Sequence, residues 1–112
     1  MTPVEFRRHL HRHPELSFRE TESARFIAEA LREAGIPCRP IAGTGVLAKI
    51  EGRGDLRRAV VLRADIDALP IREQSGAAWS SENDGVMHAC GHDGHMAMLL
   101  GTAKIQIGRA HV

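Results

Sequence analysis

The sequence contains no apolar run of the ~18 residues that a membrane-crossing helix needs. Its start, MTPVEFRRHLHRHPEL, is polar and charged, and so lacks the basic-then-apolar pattern of an export signal. An excess of charge of one sign is missing too. There are 15 Lys and Arg against 14 Asp and Glu, a formal net charge of +1, and the basic residues are spread among acidic neighbours. That balance gives no electrostatic reason to expect nucleic acid or an anionic membrane surface as partner. Cysteine is scarce, with Cys38 and Cys90 only. Two such distant thiols do not make the framework of a secreted disulfide scaffold. Internal repeats and low-complexity tracts are absent. These absences lead to the expectation of a cytoplasmic protein without a nucleic-acid or membrane partner.

What is present fits one small domain. The chain has 112 residues, 43% hydrophobic and 26% charged, which is ordinary for a globular protein. Phe6 and Leu10 lie four apart behind Pro3, which predicts a short amphipathic helix over about Thr2–Arg12, stopped by Pro14. Ser17 and Glu20 have capping-box spacing for a second helix, whose apolar face is Ala24, Ile27, Ala30, Leu31 and Ala34. Gly35 and Pro37 end it. The pattern then changes to two short β-branched and aliphatic runs, GVLAKIEG (45–52) and RAVVLRADI (58–66). A GRGD turn (52–55) between them predicts a hairpin. Val60-Val61-Leu62 reads as a strand buried on both faces. Residues 67–87 read as a long loop, and a last helix starts near Asp93 with Met96, Met98, Leu99, Leu100 and Ala103. Helix, helix, strand, strand, loop, helix is an α/β or α+β layered order. Two or three strands leave an open sheet edge. Cys38 reads as a small half-buried apolar residue, and a Cys38–Cys90 bridge is not expected.

The densest chemistry lies in MHACGHDGH, Met87 to His95. Five of its nine residues are metal-binding types: His88, Cys90, His92, Asp93 and His95. Cys90 and His92 flank Gly91 just before the predicted helix, and a glycine bend lets such side chains converge. Thiolate and imidazole suit Zn, Ni, Co or Mn. A helix N-terminus favours the thiolate, and Asp93 there suits the helix dipole and could orient a histidine. A cysteine nucleophile paired with His92 or His95 is the second chemical reading.

Two other polar stretches compete with it. In RADIDALP (63–70), Asp65 and Asp67 stand where a buried strand would end, the place at which open α/β sheets keep their chemistry. A bare turn before Pro70 explains the same pair. In HLHRH (9–13), His9 and His13 share a helix face with no carboxylate placed beside them. They are read as solvated surface histidines.

RADIDALPI, followed by GVMHACGHDGHMAMLLGTAK, resembles the metal-dependent amidohydrolases of the aminoacylase and carboxypeptidase-like metallopeptidase group. The nearest branch holds hippurate hydrolases, N-acyl-amino-acid deacetylases and indole-acetyl-amino-acid hydrolases. RRHLHRHPELSFRETESARFI and GTGVLAKIEG resemble its opening helices and first hairpin strand, so the likeness runs from Val4 to about Lys104. Met96 departs from it, standing where threonine is common. The resemblance implies an α/β fold, part of a three-layer α/β/α zinc-peptidase-like catalytic domain that stops before the sheet is complete. It implies two divalent metal ions, with Cys90 and His92 as ligands and Asp93 and His95 behind them. Asp65 or Asp67, with Asp65 favoured, would be the catalytic carboxylate that orients a ligand or the assembly. The implied activity is hydrolysis of the amide bond of N-acyl amino acids. The alternative from another class is a non-catalytic metal-binding module using Cys90 and His92.

The family's general-base glutamate, an acidic ligand and two later histidines would then lie beyond residue 112, with the rest of the sheet and a dimerisation domain. A homodimeric parent is implied, and this chain alone is expected to be inactive. Residues 1–105 would be the N-terminal part of the catalytic domain. Ile107–Val112 (IGRAHV) match the translation of a common sequencing-library adaptor. Residues 106–112 are therefore expected to be a non-native tail, and His111 is set aside from any metal argument.

Overall fold

The computed structural model describes residues 1–55 and 57–110. Helix α1 spans Pro3–Arg12. Thr2 and Glu5 close a reciprocal capping box, with the Glu5 N–H donating to Thr2 Oγ1 (3.1 Å) and the Thr2 N–H to Glu5 Oε2 (3.0 Å). Helix α2 spans Thr21–Glu33, but its start differs from the expected box. Glu20 is the N-cap residue and makes no side-chain cap bond. Glu15, further back in the chain, accepts the Ser23 N–H (2.5 Å) and the Glu22 N–H (3.3 Å) instead. A carboxylate from outside the helix thus satisfies the free amides, a role that local spacing does not reveal. At the other end Gly35 is left-handed (φ 78), and the Ile36 N–H donates to the Leu31 carbonyl and the Gly35 N–H to the Arg32 carbonyl, both at 2.9 Å. That is a Schellman closure, and it turns Ile36 into the core.

The hairpin is not the one predicted. Strand β1, Cys38–Ile41, pairs antiparallel with β2, Gly45–Ala48, in the register Cys38–Ala48 to Ile41–Gly45. Pro40 obscured β1 in the sequence, yet in a two-stranded ribbon its missing N–H costs nothing on the open edge. Residues 58–66 form no strand. Val60, Val61 and Leu62 are 88%, 84% and 57% exposed, against the expected burial on both faces. An apolar run states a need for cover, and a strand exists only where a second backbone pairs with it. Among the described residues none does.

Helix α3, His92–Ala110, packs against α1. The tail read as non-native begins within this helix, and its His111 and Val112 lie outside the described residues. The core joins Phe6 and Leu10 of α1, Ala30 and Leu31 of α2, Ile36, and Met96, Ala97 and Leu100 of α3. Each large member contributes about 1.5–3 kcal/mol by leaving water. Met96, the departure from the family pattern, is part of this core. Cys38 is half-buried and packs on its rim, and both cysteines are free thiols. The loop 67–87 is irregular as expected, but it is anchored. The Ala68 N–H donates to the Glu15 carbonyl (2.8 Å), the Glu82 N–H to the Arg12 carbonyl (2.8 Å), and Leu69 and Met87 exchange bonds of 2.9 Å. Arg8 lies 3.9 Å over the Trp79 ring. No helix among the described residues is long and apolar enough to cross a membrane.

Candidate metal centre

Gly91 has φ 85 and bends the chain between Cys90 and His92, as the spacing required. Cys90 is exposed, and His92 is the first residue of α3. The His92 ring is held from one side. Its Nδ1 lies 2.9 Å from the Asp67 carbonyl and 3.0 Å from Asp67 Oδ1, so Nδ1 carries the proton and donates. The Nε2 lone pair is then directed away from Asp67, which is the tautomer a metal ligand needs. Asp65 Oδ2 stands 4.0 Å from that Nε2, while Asp65 Oδ1 accepts from Arg63 Nη2 at 2.6 Å. Both aspartates therefore converge on His92, Asp67 by contact and Asp65 at the edge of reach. His95 is exposed on the same helix end, with its ring centroid 6.0 Å from that of His92. No hydrogen bond links Cys90 to His92 or His95 among the described residues.

Asp93 does not turn toward either histidine. It is only 1% exposed, and its Oδ2 accepts from His11 Nδ1 (2.8 Å) and Arg7 Nε (3.1 Å), both on α1. His11 is itself buried, which corrects the solvated reading of HLHRH. Its Nε2 meets both Glu73 oxygens at 3.0 Å. With carboxylates on both ring nitrogens, the imidazolium is the form that satisfies every atom. Burial pushes the Glu73 carboxyl up, but bonds from Ser75, the Ser81 N–H and His11 outweigh it and bring its pKa down to about 2. His9 is also partly covered, stacked on Phe26 with centroids 3.7 Å apart. Partial burial, then the charges of His13 and Arg12, lower its pKa. His13 alone of the three is exposed.

His88 is 4% exposed, and neither ring nitrogen has a hydrogen-bond partner among the described residues. Burial keeps it neutral by lowering its pKa, and nearby Asp93 only partly opposes this. The donor types suit a divalent metal, but their number falls short. Among the described residues no three His, Cys, Asp or Glu side chains form a group that could hold a metal ion.

The model of peptidase family M20/M25/M40 matches residues 61–108, which include both aspartates and the whole MHACGHDGH block. The chain superposes on a Bacillus subtilis crystal structure described as a dinuclear metal binding peptidase of the M20 family. The TM-score is 0.92 at 46% identity, covering 96% of this chain and 31% of that one. Residues 61–108 carry the M20 family match, and the chain is similar to M20 proteins over nearly its whole length. Its fold is accordingly the α/β fold of M20 peptidases. Among curated relatives, it is 52% identical over 103 residues to an N-acyl-L-amino acid amidohydrolase of Geobacillus stearothermophilus. It is 54% identical over 101 residues to an N-acetyl-L-cysteine deacetylase of Bacillus subtilis. It spans 91% of itself but 28% of the first relative, and 89% of itself but 24% of the second.

Sequence reasoning named His88 in the cluster but missed Arg7, His11 and Glu73 beside it. A usable signal existed for two of them. Arg7 and His11 lie four apart, a polar stripe beside the Phe6–Leu10 core stripe, which places them at the edge of a helix interface.

Proposed function

We propose that the full-length protein hydrolyses the amide bond of N-acyl amino acids at a pair of divalent metal ions. This chain contributes Cys90 and His92 as ligands. The observation that carries this reading is the fixed His92 ring, with Nδ1 engaged by Asp67 and Nε2 open at the end of α3 where Cys90 precedes it. Asp67 sets the tautomer and angle of the ligand. Asp65 lies on the Nε2 side, within reach of groups bound there. Asp93 and His95 flank the ligands, Asp93 as a buried anchor and His95 as a polar group at the open side. Zn, Mn, Ni and Co all suit the thiolate–imidazole set. Two such ions, when bound, supply a water of lowered pKa and polarise the acyl carbonyl. The general base and remaining ligands come from the part of the relatives that this chain does not span. A cytoplasmic homodimer completes the proposal.

Purified full-length protein is expected to release free amino acids from N-acetyl and N-benzoyl substrates, to stop on chelation and to recover with added Mn, Co or Zn. Cys90→Ala is expected to weaken metal binding by about 10–100-fold. Tight metal binding with no turnover of any N-acyl amino acid would favour a non-catalytic module. Turnover that survives chelation but not alkylation of Cys90 would favour a thiol nucleophile.

A further inference from the structure

We infer that His11 is a positioning residue for the metal-binding segment, acting as a buried bridge between Asp93 at the start of α3 and Glu73 in the loop that carries Asp67. The inference rests on the proposed ligand role of His92. Asp93 follows His92 directly, so whatever fixes Asp93 fixes the first turn of α3. Two α1 side chains do this, His11 Nδ1 at 2.8 Å and Arg7 Nε at 3.1 Å on the same Oδ2. On its other nitrogen His11 holds Glu73, and Glu73 in turn accepts the Ser81 N–H at 2.7 Å and the Ser75 hydroxyl. That loop begins at Asp67, which grips His92 Nδ1. One imidazole therefore ties together both elements that aim the ligand. Its side chain is 6% exposed, against 1% for Asp93 and 5% for Glu73. A charged, hydrogen-bonded triad that dry is costly to assemble and rigid once formed.

The two arms can be cut separately. In His11→Asn the side-chain amide sits where Nδ1 was and keeps a donor toward Asp93. In His11→Gln it sits where Nε2 was and keeps a donor toward Glu73. Both variants would be made in the full-length protein, with folding checked by thermal melting. Metal affinity would be read by titration with Co(II) alone, following its visible absorption and thiolate charge-transfer bands. Segment 91–96 would be followed by hydrogen exchange without metal.

His11→Gln is expected to weaken Co(II) binding about 10–100-fold, as lost outer contacts of metal ligands do, and to speed exchange in 91–96. His11→Asn is expected to retain most of the affinity and protection. Arg7→Ala, at a half-exposed site that folding tolerates, is expected to give a smaller loss. Wild-type affinity and exchange in both His11 variants would overturn the inference. So would weaker Co(II) binding with unchanged exchange in 91–96, since the effect would then not run through the first turn of α3. If the wild type itself binds no Co(II), the ligand reading fails, and the exchange data still decide whether His11 orders the turn.

Discussion

Two histidine-rich stretches, HLHRH on α1 and MHACGHDGH leading into α3, looked opposite in kind and prove to be halves of one structure. The second is dense in ligand types, and its spacing alone marked it as a site. The first showed no placed carboxylate and read as surface. In the fold, His11 of the first stretch and Asp93 of the second meet at 2.8 Å in the core. His13 of the same stretch stays exposed. Local density thus reveals a cluster of ligand-type residues, whereas a buried polar bridge is assembled from residues each of which looks ordinary in its own neighbourhood.

Replacing the buried histidine should break the comparison most sharply. His11→Phe in the full-length protein strands two buried carboxylates, with Arg7 and the Ser75–Ser81 contacts as partial relief. A loss of about 3 kcal/mol is expected in chemical denaturation, the lower end for breaking a buried charged network. A loss below about 0.5 kcal/mol, the range of ordinary surface changes, would return HLHRH to the surface class.

Acid should test the same bridge from the Glu73 side. Its folded pKa of about 2 lies below the unfolded 4.5. The stability it contributes is therefore complete above pH 4.5 and is lost as pH falls from there toward about 2. The acid limb of a stability–pH curve should be shallower in His11→Phe, because His11 supplies part of the hold on Glu73. An unchanged limb would uncouple the two residues.

The smallest effects sharpen the contrast within α1. His9→Ala gives up a stacked contact on Phe26 and should cost about 0.5–1.5 kcal/mol. His13→Ala loses only an exposed 3.8 Å pairing with Glu82 and should cost less than about 0.5 kcal/mol by the same denaturation assay. The reverse ranking would mean that burial does not order these three histidines.

Much of the helical framework was legible because its signals are local. Pro3 starts α1, Gly35 ends α2, and the period of Phe6–Leu10 and Ala30–Leu31 marks the core face, whereas the Thr2–Glu5 capping box was not read. The candidate ligand segment was conspicuous for the same reason, since Cys90, Gly91 and His92 are consecutive. The hairpin was not, because alternation and glycine mark strands without naming partners, and β2 pairs backward to a strand containing Pro40 rather than forward to Val60–Leu62. Glu15 as the cap of α2 and Glu73 as the partner of His11 were equally silent, each reaching its target through space rather than along the chain.

By itself, then, the sequence determined which helices form, where the metal-binding residue types cluster, and which family the motifs resemble. All of these depend on residues within a few turns of one another. The tertiary structure alone decided which tautomer His92 holds, why Asp93 is buried, and that His11 belongs with them. Those outcomes depend on desolvation and on carboxylates brought from distant elements into contact, and pairwise proximity of that kind has no trace in local spacing.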